Sequence, residues 1–355
     1  MIRLPDFPWD SLTPFAEQAR AHPGGVVDLS VGTPVDPTPE IIQRALRENS
    51  NAPGYPTTAG LPELARACRG WLQRRMGVDY PVGVLPSIGS KEMVAWLPSG
   101  LGVNPGQVVV IPAVAYPTYQ IGGLLAGADV IATDEVESVG SAAMVWLNTP
   151  SNPTGAVLGA DRLAEIVAWA RERGIPVVSD ECYIELGWDV EPVSILDPRV
   201  NGGDPRGLLA VHSLSKRSSM AGYRFGFVAG DVDLVAGLLA TRKHAGMMVP
   251  TPIQFAATAA YDDDHHVEEQ RGRYFARREV LRASLLDAGF RIDDSHAGLY
   301  LWVADGREAW AMTEWFAARG ILVAPGTFYG DDSHVRIALT AMDERVDAAV
   351  SRLRG

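Results

Sequence analysis

The chain has 355 residues, 47% of them hydrophobic, and a formal net charge of −12, which describes a globular chain long enough for a large core and two domains. The acidic balance argues against nucleic acid or an anionic membrane as partner, because either needs a basic face. Two cysteines, Cys68 and Cys182, lie far apart without metal-ligand spacing, which speaks against a disulfide framework or a zinc site and fits a cytoplasmic protein.

In chain order, the first residues, MIRLPDFPWDSLTPF, carry prolines and acids and no long apolar core, and no later run is long enough to span a bilayer. VVDLSVG follows with a proline-rich exit, and IGSKE at 88–92 reads as a turn opening a helix. Four apolar runs then matter most: QVVVIP (107–112), AMVWLN (143–148), PVVSD (176–180) and LLAVHS (208–213). Each is continuously apolar, rich in strand formers, and ends in Pro, Asn, Asp or Ser, which predicts strands buried on both faces of a parallel sheet. Between them, Leu163, Ile166, Val167 and Ala170 follow helical spacing, with Asp161 near the start and Gly174 as the stop. This is a βαβ rhythm, so the middle of the chain is expected to be an α/β domain with a mostly parallel central sheet and helices on both faces.

The end of the chain reads differently. Val267, Tyr274, Leu281 and Leu285 mark a long helix over 267–288, followed by strand-like GLYLWV, a helix around 308–318, ILVAP, HVRIAL and a closing helix through Val346, Ala349, Val350 and Leu353. A smaller α+β domain is expected there. The boundaries are placed at 36–265 for the large domain, with 1–35 and 266–355 forming the small one.

In an open α/β sheet, ligands bind beyond the carboxyl ends of the strands. That rule selects Tyr116 after the first run, Asn148 and Asn152 after the second, Asp180 at the end of the third, and Ser213, Ser215 and Lys216 after the fourth. Taken singly, each has an ordinary reading: a loop lysine is a solvated charge, an aspartate after a strand is a helix cap, and Asn-Pro with Thr-Gly is a turn. Together, an amine, a carboxylate, a pair of hydroxyls and an aromatic ring are what a pyridoxal phosphate site requires.

The segments SLSKRSSMAGYRFG, NTPSNPTG, SDECY and PGYPTTAGLPEL resemble the signature segments of the class I/II aminotransferases, the fold type I pyridoxal phosphate enzymes, in the same order along almost the whole chain. The resemblance implies that Lys216 holds the cofactor covalently and then shuttles a proton, a role that needs an accessible neutral amine. Asp180 would pair with the pyridine nitrogen, Asn152 and Tyr183 would donate to the 3′-oxygen, and Tyr116 would stack on the ring. Arg224, Ser213, Ser215 and the turn Gly89, Ser90, Lys91 would grip the phosphate, the turn through backbone N–H groups at a helix start. Tyr55 matches a tyrosine that reaches across a homodimer, Arg336 matches the arginine that clamps the substrate α-carboxylate, and Gly32 matches a glycine that approaches the substrate. Cys182 stands where small aliphatic residues are commoner, and is read as a small buried hydrophobe. Ser218 and Ser219 fall in a loop that varies among relatives.

A closer resemblance, through LPDFPWD, DLSVGTPVDPTP, RKHAGMMVPTPIQ and ILVAPGTFYG, is to actinobacterial N-succinyldiaminopimelate aminotransferases of lysine biosynthesis. It implies exchange of an amino group between glutamate and N-succinyl-2-amino-6-oxopimelate. Such a substrate needs a basic distal pocket, for which Lys91, Arg217, Arg242, Lys243 and His244 are the candidates. Acetylornithine or another amino acid as substrate, and a carbon-sulfur β-lyase of the same fold, are the alternatives. A nicotinamide dehydrogenase lacks support because no G-x-G-x-x-G follows the first strand, and a transcription regulator that reuses the fold would need a basic helix-turn-helix domain, whereas this chain enters the aminotransferase pattern almost at once.

Overall fold

The computed structural model describes residues 4–354; residues 1–3 of the expected small domain, and Gly355, lie outside it. Thirteen strands are formed among the described residues: β1 Val27–Asp28, β2 Gly83–Ser87, β3 Val108–Ile111, β4 Asp129–Ala132, β5 Met144–Asn148, β6 Val177–Asp180, β7 Leu208–Ser213, β8 Gly226–Gly230, β9 Arg291–Asp293, β10 Tyr300–Ala304, β11 Ile321–Leu322, β12 Ala324–Pro325 and β13 Val335–Ala338. The α-helices are α1 Thr13–Arg20, α2 Glu40–Glu48, α3 Pro62–Met76, α4 Ser90–Gly100, α5 Thr118–Leu125, α6 Ala160–Arg173, α7 Pro198–Asn201, α8 Leu214–Arg217, α9 Val232–Ala245, α10 Thr251–Asp262, α11 His265–Asp287, α12 Ala309–Ala317 and α13 Asp343–Arg354.

The large sheet has seven strands in the order β2-β8-β7-β6-β5-β3-β4. The four apolar runs of the sequence are β3, β5, β6 and β7, and they pair in parallel, with β4 added at one edge. Alternation along them divides the core in two. Val110, Val145, Leu147, Val177, Leu208 and Ala210 face one apolar layer with α3, α6 and α10, while Val109, Ile111, Met144, Trp146, Val178, Leu209 and Val211 face the other with α4 and α9. Each buried valine or leucine contributes about 1.5–3 kcal/mol relative to exposure, so a sheet covered on both faces is the stable way to use such runs. The parallel pattern ends at β7, because β8 runs antiparallel to it and to β2.

Helix ends follow local chemistry. Helix α6 stops at Gly174, which takes φ 63° and returns its N–H toward the last turn. Asp231 caps α9 by accepting from the N–H groups of Asp233 and Leu234.

A second, four-stranded sheet has the order β12-β13-β10-β9 and is antiparallel. It packs with α11, α12 and α13 around a separate core that includes Tyr274, Leu281, Leu285, Leu301, Phe316 and Val346. The N-terminal segment joins this core through Val27 and Leu29, and β1 pairs in parallel with β11 as a separate two-stranded sheet. No helix of the described residues is long and apolar enough to cross a membrane.

Candidate active site

The strand ends converge as the sheet rule predicts. One cavity of about 1210 Å³ is lined by Gly32, Ser90, Lys91, Tyr116, Asn152, Asp180, Tyr183, Ser213, Ser215, Lys216, Arg224 and Arg336. It lies between the carboxyl ends of β3, β5, β6 and β7 and the second sheet, which sends in Tyr300 from β10 and Arg336 from β13.

Asp180 ends β6 and is 6% exposed. Its Oδ2 accepts from the Tyr119 hydroxyl at 2.9 Å and its Oδ1 from the Cys182 N–H at 3.1 Å. Burial pushes the carboxyl up from the aspartate range, opposed by those hydrogen bonds. Among the described residues no cation pairs with it, so a buried carboxylate faces the cavity without a counter-charge.

Lys216 lies in the single turn α8 that follows β7, where Ser213 Oγ caps the turn by accepting the Ser215 N–H at 3.1 Å. The lysine Nζ donates to the carbonyl of Gly32, and no carboxylate among the described residues pairs with it. Burial lowers its pKa from the lysine range; Tyr300 opposes this, and the charges of Arg336 and Arg224 add to it. A neutral amine is therefore easier to reach here than on a surface lysine.

Arg336 is 2% exposed. Its Nη1 donates to Asn152 Oδ1 at 2.8 Å and its Nη2 to the Ser30 carbonyl at 2.6 Å, while the Tyr300 ring lies 4.0 Å and the Tyr329 ring 5.0 Å from the guanidinium carbon. The Nε has no partner. A buried guanidinium held by neutral groups alone is prepared for an anion. Asn152 is itself positioned, because its N–H donates to Asn148 Oδ1 at 2.8 Å. With its Oδ1 committed to Arg336, its amide nitrogen is left as a donor.

Tyr183 shares a hydrogen bond with Tyr300, hydroxyl to hydroxyl at 3.1 Å, and burial pushes its phenol well above the tyrosine range. Tyr116 lines the cavity at right angles to Tyr119, with ring centroids 5.9 Å apart; burial pushes its phenol up to about 12. At Gly32 an added Cβ would fall 2.3 Å from the Tyr300 hydroxyl, so a side chain there would have to displace that ring.

The turn before α4 forms a cradle. Gly89 takes φ 78°, and an added Cβ would lie 2.3 Å from Arg224 Nη2, so the guanidinium passes directly over the turn. Arg224 reaches it from a left-handed backbone position, φ 54°, with Nη1 donating to the Ala221 carbonyl at 2.7 Å. Glu92 stabilises the start of α4 by accepting the Ile88 N–H at 3.1 Å and is gripped by Arg242 through contacts of 2.6 and 2.9 Å.

That grip removes Arg242 from the distal candidates. Arg217 leaves them too: it is 4% exposed, its Nε lies 2.7 Å from Glu185 Oε2 in a close charge contact without aligned hydrogen-bond geometry, and its guanidinium sits between Trp71 and Tyr261. Lys243 and His244 are exposed on α9 and do not line the cavity. Of the five, only Lys91 faces it, with Nζ 5.6 Å from the Phe7 ring centroid. Tyr55 also lies outside the cavity, 97% exposed.

The sequence reading missed Tyr119, Tyr300 and the aromatic outer wall. Tyr119 had a signal, because it follows Tyr116 by three residues in YPTY, where Tyr116 precedes α5 and Tyr119 lies in its first turn. Tyr300 had none, since it reads as one more residue of an apolar strand. Phe7, Trp9, Trp310 and Phe328 line the outer cavity, with Trp9 and Phe328 centroids 5.1 Å apart and Trp310 and Phe328 5.8 Å apart. They come from opposite ends of the chain, so no local pattern joins them.

Comparison with known proteins places this geometry. The family model for aminotransferase class I and II matches residues 24–353. The chain is similar to a probable aminotransferase of Mycobacterium tuberculosis, 57% identical over 99% of this chain and 85% of that one. It is also similar to 4-dedimethylamino-4-oxo-anhydrotetracycline transaminase of Streptomyces rimosus, 53% identical over 99% and 100%. Among solved structures, a probable N-succinyldiaminopimelate aminotransferase from Thermus thermophilus aligns with TM-score 0.88 and 27% identity, covering 98% of this chain and 99% of that one.

Proposed function

The chain belongs to the class I and II aminotransferases, a pyridoxal phosphate-dependent family, and we propose that it moves an amino group between glutamate and N-succinyl-2-amino-6-oxopimelate. The observation that carries amino transfer is the unmatched charge of the cavity: a buried carboxylate at Asp180, a buried guanidinium at Arg336 and the half-buried amine of Lys216, none with an opposite charge of its own among the described residues. These residues fit the cofactor. Asp180 would hold the ring nitrogen, Tyr183 and the Asn152 amide would donate to the ring hydroxyl oxygen, Tyr116 would cover one face, and Ser213, Ser215, Arg224 and the Gly89–Ser90–Lys91 turn would hold the phosphate.

Bound pyridoxal phosphate supplies an electrophilic carbonyl and a ring that accepts electrons. The chain supplies the rest. Arg336 binds the donor α-carboxylate and so orients the Cα–H bond. Lys216 Nζ, kept in reach of its neutral form by burial, would take the Cα proton and deliver it within the same half-reaction to the cofactor carbon that receives the amino group, and would carry a proton the opposite way when the oxo acid is aminated. Asp180 would keep a proton on the ring nitrogen through its negative charge, and Tyr183 and Tyr300 line the cavity beside Arg336 and Lys216.

The succinylated acceptor is supported by the name of the Thermus relative and by Lys91, a cation left over for a distal carboxylate. Its remaining carboxylate would need a further cation, for which the expected homodimer is the source; the full exposure of Tyr55 supports a covering second copy. A second reading has its own observation. The outer wall of Phe7, Trp9, Trp310 and Phe328 suits a flat apolar acceptor, and the Streptomyces relative is named for a polycyclic one.

A single-turnover panel separates these readings. Glutamate should discharge the absorbance near the visible edge that wild type shows with pyridoxal phosphate and Lys216→Ala does not. The pyridoxamine form should then be recharged by the oxo acid derived from N-succinyldiaminopimelate. Recharging by a polycyclic ketone alone, or by N-acetylglutamate semialdehyde alone, refutes the succinylated acceptor, and pyruvate release from a cysteine conjugate would point to the β-lyase.

A further inference from the structure

Two residues beyond Lys216 the chain carries an unexpected constellation. Ser218 Oγ lies 2.9 Å from His266 Nε2, and His266 Nδ1 lies 2.6 Å from Asp263 Oδ2, which are the connectivity and distances of a hydrolytic triad. A hydrolytic role fails on access. Ser218 is 0% and His266 4% exposed, and Ser218 lines neither the active-site cavity nor a second large cavity beside Trp188. No substrate carbonyl can reach that hydroxyl.

The same contacts do make a tether. Asp263 accepts from Nδ1, which leaves Nε2 as an acceptor and orients the Ser218 O–H toward it. Burial lowers the His266 pKa, opposed by Asp263 and reinforced by Arg217, with Glu185 also facing it, so the neutral ring this arrangement needs is the favoured one.

The turn being tethered cannot hold itself. Helix α8 is four residues long, too short to be stable without tertiary support. Two residues after it, Ser219 takes φ 49°, a conformation unfavourable for a non-glycine residue that persists only when its surroundings impose it. Three contacts impose it here. The Tyr274 hydroxyl donates to the Lys216 carbonyl at 3.2 Å, Thr38 Oγ1 donates to the Ser219 carbonyl at 2.7 Å, and Ser218 donates to His266. His266 and Tyr274 are eight residues apart on α11, about two turns, so one helix face grips the lysine turn at two points.

We propose that His266 is a positioning residue for Lys216: acting through the Ser218 hydroxyl, it holds the end of the lysine turn against α11 and so sets the direction in which Nζ enters the cavity. The proposal rests on the aminotransferase reading. It goes beyond it in assigning a task to Ser218, His266 and Asp263, none of which touches substrate or cofactor.

The test compares wild type, Ser218→Ala, Ser218→Thr, His266→Gln and the Ser218→Ala/His266→Gln double variant. The readouts are kcat and KM for glutamate, the rate at which apoprotein regains its absorbance on adding pyridoxal phosphate, and the pH midpoint of that absorbance. The groups facing Nζ, namely Tyr300, Arg336, Cys182 and Arg224, remain in every variant, so a moved midpoint reports a moved lysine. Ser218→Ala and His266→Gln should each lower kcat and the reloading rate about tenfold, as a sub-ångström misplacement does, with KM little changed and the midpoint displaced. The double variant should be no worse than either single change, because both cut one chain of contacts. Ser218→Thr, which keeps the hydroxyl, should restore all readouts. A lower melting temperature with wild-type kcat and midpoint would reduce the tether to a stability element and overturn the proposal. Labelling of Ser218 by a fluorophosphonate would overturn it in favour of a nucleophile. If wild type itself gains no absorbance with the cofactor, the aminotransferase reading fails, and this result is distinct from either of those.

Discussion

Replacing Arg336 by lysine tests the anion clamp while keeping a positive charge. The guanidinium spends one N–H of Nη1 on Asn152 Oδ1 and one of Nη2 on the Ser30 carbonyl, which leaves a second N–H on each terminal nitrogen for a paired grip on a carboxylate. A lysine has a single nitrogen. It cannot hold Asn152, the Ser30 carbonyl and both carboxylate oxygens together, so at least one charge-assisted hydrogen bond is lost. Such a bond contributes about 1.5–3 kcal/mol, which converts to a fall of about 10- to 150-fold in kcat/KM. The assay is the rate of pyridoxamine formation with glutamate beside the same rate with a primary amine of similar length lacking the α-carboxylate. Arg336→Lys should lose activity with glutamate and keep its residual rate with the amine. An equal loss with both donors would show that the variant disturbs the cavity in general, through Tyr300 or Asn152, and would refute the clamp.

Three further outcomes follow from buried charge and close packing. Burial raises the Asp180 pKa above its unfolded value, so its contribution to stability is fullest below the ordinary aspartate range and is lost as pH rises through the folded value; Asp180→Asn should therefore raise the melting temperature of apoprotein at neutral pH, with a smaller gain in acid, and slow transamination sharply. Glu181 is pushed up to about 7 and His212 down to about 3, both by burial, with His212 Nε2 3.7 Å from Glu181 Oε2. Between the unfolded values of the two groups their proton uptake and release on folding oppose each other, so Glu181→Gln should leave the His212 effect unbalanced. Stability of that variant, followed by urea titration, should rise more steeply than wild type from acid pH toward about 6.5; equal slopes would show that the two groups do not oppose one another. Gly89→Ala places a methyl group against Arg224 at a left-handed backbone position. It should weaken pyridoxal phosphate binding at least about tenfold, the equivalent of one lost charge-assisted contact, as read by equilibrium titration of apoprotein, and unchanged affinity would remove Arg224 from the phosphate grip.

Much of the site was legible because its residues sit at strand ends. Asp180, Asn152, Ser213 and Lys216 each follow an apolar run, and a parallel sheet brings such ends to one rim whatever lies between them in the chain. Arg336 was legible only through resemblance, since an arginine within HVRIAL reads locally as the polar residue of an edge strand. The distal candidates show where this reasoning stops. Arg217 and Arg242 are cations near the right segments, yet each is committed to a glutamate, Glu185 and Glu92, from another part of the chain. Charge in a sequence does not reveal its partner.

Local pattern was enough for the layered α/β body, because continuous runs of valine, leucine and isoleucine are stable only when both faces of the sheet are covered. It also determined the chemistry available at the rim, because amine, carboxylate, hydroxyl and amide follow directly on those runs. Tertiary structure decided which charges remain unmatched, as Asp180, Lys216 and Arg336 face the cavity while Arg217 and Arg242 do not. It decided the antiparallel return of β8, the aromatic wall joined from Phe7, Trp9, Trp310 and Phe328, and the Ser218–His266–Asp263 tether behind the lysine. All of these depend on contacts between residues far apart in the chain, where burial and distance, and not local pattern, determine which partner each group finds.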